Sequence, residues 1–545
     1  MASSTVCSEQ YVNHLKLRFK QKGRLHVGAP KAKSRTVKGI APGLVFSCPL
    51  TDVDSSNASC DPLGKNDSSN HLMRSYIPND FYKDDMWFGA VIAVVPKDKL
   101  LICAPREMAP YKDKHILING VCYIRGKNKE QGLYPLRDEH RQAYRTDGAR
   151  KEYGEYGYHL NYFAYGQAGM SVAVTKNSSI IIGAPGVLQW TGTIVDYKYS
   201  SNMFYFPRVP TMNPYHTLAL GPDDYFGYSV ESGVFEETGI ILNVAGAPRS
   251  GKGYGQVLLF EPTTRETDPL KIKAQLIGPQ LGSYFGASLC AVDIDGDGLS
   301  DLLVGAPNYA KRDGIIKYDQ GAVFIYMSRK EDFRFVLSES GHVMGSRQSG
   351  ARFGTTIADL GDVDSDGFND VVIGAPWEDN GAGAVYIYRG SEDGLRAQYT
   401  QRIHAEGAKS FGISVSKGYD VDNNECNDTS KDGSPRADHT SDDDYRSVTS
   451  VANEHGLNDL QTSSDMWSAH ADLTADGSGD SGHNRLMADA SVDVKYLPHS
   501  KIAFSDAHLP TWRRRVECFG TEICVSARKR FVPKLFRKLS FNNMN

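Results

Sequence analysis

Two short segments of the chain concentrate aspartates at a spacing that suits a bound cation. The first reads DIDGDGLSD from Asp293 to Asp301, and the second reads DVDSDGFND from Asp362 to Asp370. Carboxylates this close repel one another strongly unless a cation lies among them. Alternate positions 1, 3 and 5 of a tight loop point inward, as in an EF-hand loop, and glycine at position 6 permits the sharp turn.

Calcium is the natural ion for such loops because all-oxygen ligand sets select hard cations. The predicted ligands are the carboxylates at positions 1, 3, 5 and 9 and the main-chain carbonyl at position 7. They are Asp293, Asp295, Asp297, Leu299 and Asp301 in the first loop, and Asp362, Asp364, Asp366, Phe368 and Asp370 in the second. A solvated acidic turn is the alternative, but two copies at one place in a repeat favour metal. We expect a structural role, since no open coordination site with a general base is apparent.

A third, altered copy of the loop follows later in the chain. Its candidate ligands are Asp420, Asp422, Asn424, Cys426 and Asp428. Glu425 occupies the position that favours glycine, and a left-handed backbone there costs about 1 kcal/mol or more. Metal binding and its absence therefore both stay open for this copy.

Each loop lies inside a longer repeat in which Phe-Gly precedes an apolar run that ends in Gly-Ala-Pro. Gly-Ala-Pro begins at Gly28, Gly183, Gly246, Gly305 and Gly374, and Cys-Ala-Pro at Cys103 is a variant. Phe-Gly begins at Phe88, Phe226, Phe285, Phe353 and Phe411, the last without a following Gly-Ala-Pro. In segments such as GAVYIYR, successive side chains would point to opposite faces of a strand. We count four such short strands in one repeat, and four strands form one propeller blade. An unrelated β-sandwich is the alternative, and it does not explain the fixed order of the motifs.

The bulk composition fits an all-β protein built from such repeats. With 545 residues the chain exceeds one ordinary core unless that core is a ring of repeats. The net charge of -4 gives no reason to expect a nucleic-acid partner. No run of about 18 apolar residues predicts a membrane span, and the N-terminus has no signal-peptide core. We expect the chain to be incomplete.

The cysteines and glycosylation motifs indicate an exported protein. Cys48 and Cys60 flank one apparent turn, and Cys103 and Cys122 flank another, which suits local disulfides. Scattered free thiols are the alternative on spacing alone. Asn-x-Ser motifs make three asparagines glycosylation candidates, namely Asn57, Asn66 and Asn177.

Phe-Gly, Gly-Ala-Pro and the Asp loop together form the FG-GAP repeat, and their combination resembles integrin α subunits. LHVGAPKAKS, with GLVFSCPL and Cys60, resembles the first integrin blade and its disulfide, while LLICAPR and GVCYIRG resemble the second blade with Cys103 paired to Cys122. The resemblance implies a seven-bladed β-propeller with incomplete first and last blades. It also implies an integrin β subunit as partner and extracellular-matrix ligands bound on the face opposite the calcium loops.

The resemblance also predicts the domain boundaries. Residues 1–20 form an irregular segment, residues 21–428 the propeller, residues 429–485 a disordered low-complexity stretch, and residues 486–545 a partial β-sandwich similar to the opening of the integrin thigh domain. Trp190 matches a position at the integrin ligand face, although packing within its loop is the alternative. Gln189 stands where Arg-Gly-Asp-binding members of the family carry an aromatic residue, so the resemblance does not predict Arg-Gly-Asp specificity.

The function implied is that of a cell-surface adhesion receptor that signals as an αβ heterodimer and catalyses no reaction. Membrane association would come only through segments missing from this sequence. One alternative is a secreted FG-GAP protein similar to propeller-bearing phospholipases, which needs a cluster of His and Asp zinc ligands. Another is a non-functional integrin fragment whose ring never closes.

Overall fold

The computed structural model describes residues 24–418 with internal gaps, and four further strands at residues 493–497, 501–505, 515–519 and 523–527. The gaps are residues 34–40, 50–60, 64–82, 97–98, 112–114, 127–129, 137–142, 145–159, 162, 178, 200–201, 206–219, 263–269, 312–316, 332–333 and 406–408. The chain divides into two compact units, one that holds the described residues 24–418 and one that holds the four further strands. Among the described residues, no helix has the length and apolar character needed to cross a membrane.

The first unit begins with a three-stranded antiparallel sheet, the N-terminal sheet. Its strands are β1 (Arg24–Ala29), β2 (Leu44–Pro49) and β3 (Asp61–Pro62). The two four-stranded sheets that follow are named blades A and B. Blade A contains β4 (Val91–Val95), β5 (Lys99–Ala104), β8 (Val121–Arg125) and β9 (Glu130–Leu133), with a hairpin of β6 (Ala109–Tyr111) and β7 (His115–Leu117) between β5 and β8. A second hairpin, β10 (Ala143–Tyr144) and β11 (Leu160–Asn161), precedes blade B, which contains β12 (Ser171–Val174), β13 (Ser179–Ala184), β14 (Thr193–Lys198) and β15 (Met203–Tyr205).

Three more four-stranded antiparallel sheets complete the described propeller. Blade C contains β16 (Ser229–Val234), β17 (Ile241–Ala247), β18 (Gln256–Phe260) and β19 (Ile272–Ile277). Blade D contains β20 (Ser288–Val292), β21 (Asp301–Ala306), β22 (Ala322–Glu331) and β23 (Arg334–Val343). Blade E contains β24 (Thr356–Gly361), β25 (Asp370–Ala375), β26 (Ala384–Tyr388) and β27 (Gln401–Ile403). Short helical turns follow Gly-Ala-Pro in three blades, α1 (Val187–Trp190), α2 (Ser250–Gly253) and α3 (Glu378–Gly381).

The sheets are arranged as blades around a common axis. The first strand of each sheet contacts the first strand of the next, in the order β1, β4, β12, β16, β20 and β24. The predicted propeller is therefore present, with five four-stranded blades among the described residues. Phe411 and Gly412 occupy the place that begins a further blade, and the rest of that predicted blade lies outside the described residues. Seven blades remain a prediction.

The Phe-Gly and Gly-Ala-Pro motifs meet between blades. A Cβ atom on Gly183 would lie 2.0 Å from the carbonyl oxygen of Gly227, and one on Gly374 would lie 2.1 Å from that of Gly412. The first glycine of Gly-Ala-Pro thus allows the next blade's Phe-Gly strand to approach its backbone directly. The phenylalanine itself packs within its own blade, as Phe285 does on Phe324 at a ring distance of 5.6 Å.

Alternation along each middle strand fills the space on both of its sides. In β13, Ile180 and Ile182 pack with Leu101 of blade A, whereas Ile181 packs with Leu258 of blade C. All three isoleucines are fully buried, so each contributes about 1.5–3 kcal/mol of burial free energy. Since side chains alternate between the faces of a strand, a continuous apolar run fits a sheet with neighbours on both faces.

The second unit contains a four-stranded sheet. Its strands are β28 (Asp493–Leu497), β29 (Lys501–Ser505), β30 (Arg515–Phe519) and β31 (Ile523–Ala527). The strand order is β28, β29, β31, β30, with β29 and β31 parallel and the other pairs antiparallel. This is one sheet, and the partial β-sandwich stays a prediction. The predicted segments 1–20 and 429–485 lie outside the described residues.

Candidate metal centres

The two Asp loops occupy equivalent places in neighbouring blades. The first connects β20 to β21 in blade D, and the second connects β24 to β25 in blade E. Both loops lie at the start of the second strand of their blade. Gly-Ala-Pro and the helical turns lie at the opposite end of the second strand. The loops therefore share one face of the propeller, opposite the face that carries α1, α2 and α3.

The first loop gathers three carboxylates around an unpaired oxygen. Asp293, Asp295 and Asp297 each offer an oxygen within 4.8 Å of the other two. The N–H of Gly298 donates to Asp293 Oδ2 at 2.9 Å, yet Asp293 Oδ1 is buried and accepts no hydrogen bond. Gly298 adopts φ of 88°, as the turn requires. A buried acceptor without a partner is costly, and a cation among the three carboxylates would satisfy it.

The second loop repeats this geometry. Asp362, Asp364 and Asp366 form a second group within 4.8 Å, and here Asp364 Oδ1 is buried without a partner. The N–H of Gly367 donates to Asp362 Oδ2 at 2.8 Å, and Gly367 has φ of 93°. The donor set of both loops consists only of oxygen atoms and fits a hard divalent cation.

The ninth aspartate of each loop lies outside the three-carboxylate group and anchors the loop to its blade. Asp301 accepts the N–H of Ile294 at 3.0 Å and that of Ser328 at 2.8 Å, one on each oxygen. Asp370 accepts the N–H of Gly390 in the same manner, at 3.0 Å. Each carboxylate oxygen keeps a further lone pair, so the predicted ligand role of these two aspartates stays a prediction.

Burial raises the pKa of several carboxylates in the two loops. Desolvation raises the pKa of Asp301 to about 7 and that of Asp370 to about 6, although backbone N–H groups favour their charged forms. Burial and the neighbouring carboxylates also raise the pKa of Asp293 and Asp295. A bound divalent ion would counter both effects.

Arginines partly neutralise each loop, and our sequence interpretation missed them. Arg329, from β22, lies 3.8 Å from Asp295, and Arg389, directly after β26, pairs with Asp364. Both meet the aspartate at position 3 of their loop. The sequence signal for them is the arginine that ends both GAVFIYMSR and GAVYIYR. This arginine lies near the loop because the third strand of each blade pairs with the second strand, which begins directly after the loop.

The remaining predicted sites fall partly outside the described residues. Cys103 and Cys122 are opposite residues of β5 and β8 and form a disulfide. The pairing of Cys48 with Cys60 lies outside the described residues, as do Asn57, Asn66 and the third loop with Asp420, Asp422, Asn424, Cys426 and Asp428. Asn177 is exposed in the turn between β12 and β13.

Trp190 ends α1 on the face opposite the Asp loops. Its ring stacks on Tyr165 at 5.8 Å with an interplanar angle of 10°, and its indole N–H is buried without a partner. The ring is half-buried, so packing accounts for one of its faces. Its assignment to a ligand surface stays a prediction.

Within the described residues, the only groups of His, Cys, Asp or Glu close enough to hold a metal are the two Asp loops. The histidine-containing zinc cluster that a phospholipase-like protein would need is absent from this part of the chain.

Comparison with known proteins agrees with the geometry of the blades. A family model described as the FG-GAP repeat matches residues 285–326 and 353–388, which cover the first two strands of blade D with the start of β22, and the first three strands of blade E. Integrin alpha-4 of Xenopus laevis is 35% identical over 420 residues, covering 73% of this chain and 36% of the relative. Integrin alpha-PS3 of Drosophila melanogaster is 32% identical over 458 residues, covering 74% of this chain and 38% of the relative.

A third relative extends the likeness. Integrin alpha-V of Gallus gallus is 31% identical over 422 residues, covering 73% of this chain and 37% of the relative. The chain thus spans less than two fifths of the length of the curated relatives it matches. The matches take in most of the sequence, and the FG-GAP model falls on the two blades that carry the Asp loops. With its repeats, its propeller and these relatives, the chain belongs to the integrin α subunits and corresponds to their head region.

Proposed function

We propose that the two Asp loops bind calcium and that the ions hold the propeller loops in shape. The supporting observation is the repeated group of three carboxylates, each with one buried oxygen that accepts no hydrogen bond, namely Asp293 Oδ1 and Asp364 Oδ1. The ligands are the carboxylates at positions 1, 3, 5 and 9 and the carbonyl oxygens of Leu299 and Phe368. Calcium accepts such flexible all-oxygen sets, whereas magnesium demands near-ideal octahedral geometry.

Calorimetric titration of the metal-depleted protein with calcium tests this assignment. We expect two bound calcium ions per chain from the two described loops, and weaker binding of magnesium. Asp295→Ala and Asp364→Ala each remove one carboxylate from one loop and leave no side-chain oxygen in its place, so each variant should lose one binding event. Asp393→Ala, at an exposed aspartate of blade E outside the loops, is the matched control and should bind as the unaltered protein does. Unchanged titrations of both loop variants would refute the proposal.

We further propose that the protein is the extracellular head of an adhesion receptor and pairs with an integrin β subunit. Support comes from the integrin α relatives, from the propeller, and from the Cys103–Cys122 disulfide, which suits an oxidising compartment. Extracellular-matrix proteins would bind on the face of α1, α2 and α3, where Trp190 lies. The calcium loops on the other face would then have a structural role, and the αβ complex would carry the signal.

Coexpression with candidate integrin β subunits tests this pairing. We expect coprecipitation of the chain with at least one β subunit from the same organism and appearance of the complex at the cell surface. The matched control is the chain with Gly227→Val, which would separate blades B and C because Gly227 packs against the backbone of Gly183. Secretion of a folded chain that pairs with none of the β subunits would contradict the proposal.

A further inference from the structure

The eighth residue of each Asp loop reaches the preceding blade. In the second loop, the side-chain amide of Asn369 donates to the main-chain carbonyl of Asp293 in the first loop, at 2.6 Å. In the first loop, Ser300 makes the equivalent link to blade C, since its N–H donates to the carbonyl of Val234 at 2.6 Å and its Oγ accepts the N–H of Val234 at 3.1 Å. Val234 and Asp293 correspond, because each follows the phenylalanine of its Phe-Gly by eight residues.

The two links differ in what they join. Ser300 joins the first loop to Val234, the last residue of β16, and the connection that follows reads FEETGI and has no aspartate loop. Asn369 joins the second loop to the residue that supplies the position 1 carboxylate of the first. Asn369 also stands directly between Phe368, the proposed carbonyl ligand, and Asp370.

Close backbone packing adds to this link. A Cβ atom on Gly296 would lie 3.4 Å from the carbonyl oxygen of Gly367, and one on Gly390 would lie 2.7 Å from that of Ile294 and 2.5 Å from that of Asn369. Gly390, two residues after β26, therefore lies against the backbone of both loops and leaves no room for a side chain there. This contact gives the two loops a shared neighbour.

We propose that Asn369 is a positioning residue that couples the two cation sites, so that an ion in either loop favours binding in the other. This inference rests on the proposed calcium function. An ion in the second loop orders the backbone on both sides of Asn369, which in turn holds the carbonyl of Asp293 in place. The first loop is then already partly ordered, so it loses less conformational entropy when it binds its own ion. Repulsion between the two ions acts in the opposite sense and does not depend on Asn369.

A double-mutant cycle on calcium affinity isolates the contribution of Asn369. The affinity of the second loop is measured by calorimetry in the full chain with and without Asp295→Ala, which disables the first loop by removing a ligand oxygen. We expect disabling the first loop to weaken calcium binding in the second by about fivefold or more, a typical coupling between sites. With Asn369→Ala present, the same change should weaken it less than about twofold, since the link is already lost.

Ser300→Ala is the matched control because it removes a side-chain hydrogen bond to the preceding blade that does not join two cation sites, while the main-chain bond from Ser300 to Val234 remains. The fivefold effect should persist in this variant. A second measurement is hydrogen exchange of the amides at residues 293–301 in the Asp295→Ala protein, in which the first loop binds no ion. Calcium in the second loop should slow this exchange when Asn369 is present and should leave it unchanged in Asn369→Ala.

The outcomes separate the two proposals. Calcium binding at two sites whose coupling is the same with Asn369 and with Asn369→Ala would overturn the inference and leave the calcium function intact. No calcium binding in either loop would overturn the proposed function itself. Should Asn369→Ala not fold, Asn369→Leu takes its place, since leucine is close to asparagine in size and has no amide to donate to the carbonyl of Asp293.

Discussion

At the scale of single residues, the chemistry of this protein depends on buried polar groups and what satisfies them. Asp293 Oδ1 and Asp364 Oδ1 are buried acceptors without partners, a state that costs about 1–3 kcal/mol per group. Glu378, in α3, shows the opposite case, because its fully buried carboxylate accepts the hydroxyl of Tyr386 on both oxygens at 2.7 Å. Protein atoms satisfy Glu378, whereas in the Asp loops the proposed calcium ion would do so.

Replacing Glu378 tests how much its hydrogen bonds and ion pair stabilise the folded protein. Arg402 is three-quarters buried and pairs with Glu378 at 2.7 Å and also with the more exposed Asp379, so Glu378→Gln removes the buried one of its two carboxylate partners. We expect the free energy of unfolding of the calcium-loaded protein to fall by about 2 kcal/mol in urea titrations, as for a lost hydrogen bond to a charged group. Tyr386→Phe keeps the ion pair and should cost only about 1 kcal/mol, which makes it the internal comparison. Equal losses in both variants would contradict this account.

At the scale of the strands, the glycines of the repeat decide how closely blades approach. Gly183 belongs to β13, and its backbone lies against the carbonyl of Gly227 at the start of blade C. The repeat places a glycine here because any side chain would enter the neighbouring backbone. The apolar runs SIIIGA and DVVIGA therefore combine bulky residues for both blade faces with one position of no side chain.

Gly183→Ala should separate blades B and C. The added methyl would lie 2.0 Å from the carbonyl oxygen of Gly227, so the backbone must shift, at a cost of about 3 kcal/mol. The measurement is the melting temperature followed by circular dichroism. Gly221→Ala is the control, because no atom lies within 4 Å of the added methyl and that position should tolerate it. A Gly183→Ala protein as stable as the control would show that the blades can relax apart without cost.

At the scale of the whole molecule, the described propeller joins five four-stranded blades, with cation loops in two neighbouring blades. Ions that bind only the folded state stabilise it by mass action. The two loops lie in adjacent blades on one face, so their ions act on the same part of the ring. Calcium is therefore expected to stabilise blades D and E more than blades A and B.

Chelation tests this expectation. At a calcium concentration 100 times the dissociation constant, one site contributes about 2.7 kcal/mol, and two sites contribute about twice that. We expect removal of calcium to lower the melting temperature in calorimetry and to increase hydrogen exchange in residues 288–388 more than in residues 91–205. Restored calcium should reverse both changes, and magnesium should reverse them less. An unchanged melting temperature would remove the metal assignment.

The sequence alone determined the features that depend on neighbouring residues. The spacing from Asp293 to Asp301 predicted the tight turn and the group of carboxylates, and the order of Phe-Gly and Gly-Ala-Pro predicted the blades. The Cys103–Cys122 disulfide was predictable for the same reason, since its residues lie 19 apart in one hairpin-like unit. Turns and strands are set by local backbone preferences, which short patterns report directly.

Only the tertiary structure decided which groups meet across blades. Asn369 and Asp293 are 76 residues apart, and no local pattern shows that the amide of one faces the carbonyl of the other. The same holds for Arg389 beside Asp364 and for Gly183 against Gly227. These contacts exist because the blades pack at one angle around an axis, and that angle follows from side-chain volumes along whole strands. A periodic sequence reports each blade separately, whereas the fit between blades is a property of their assembled surfaces.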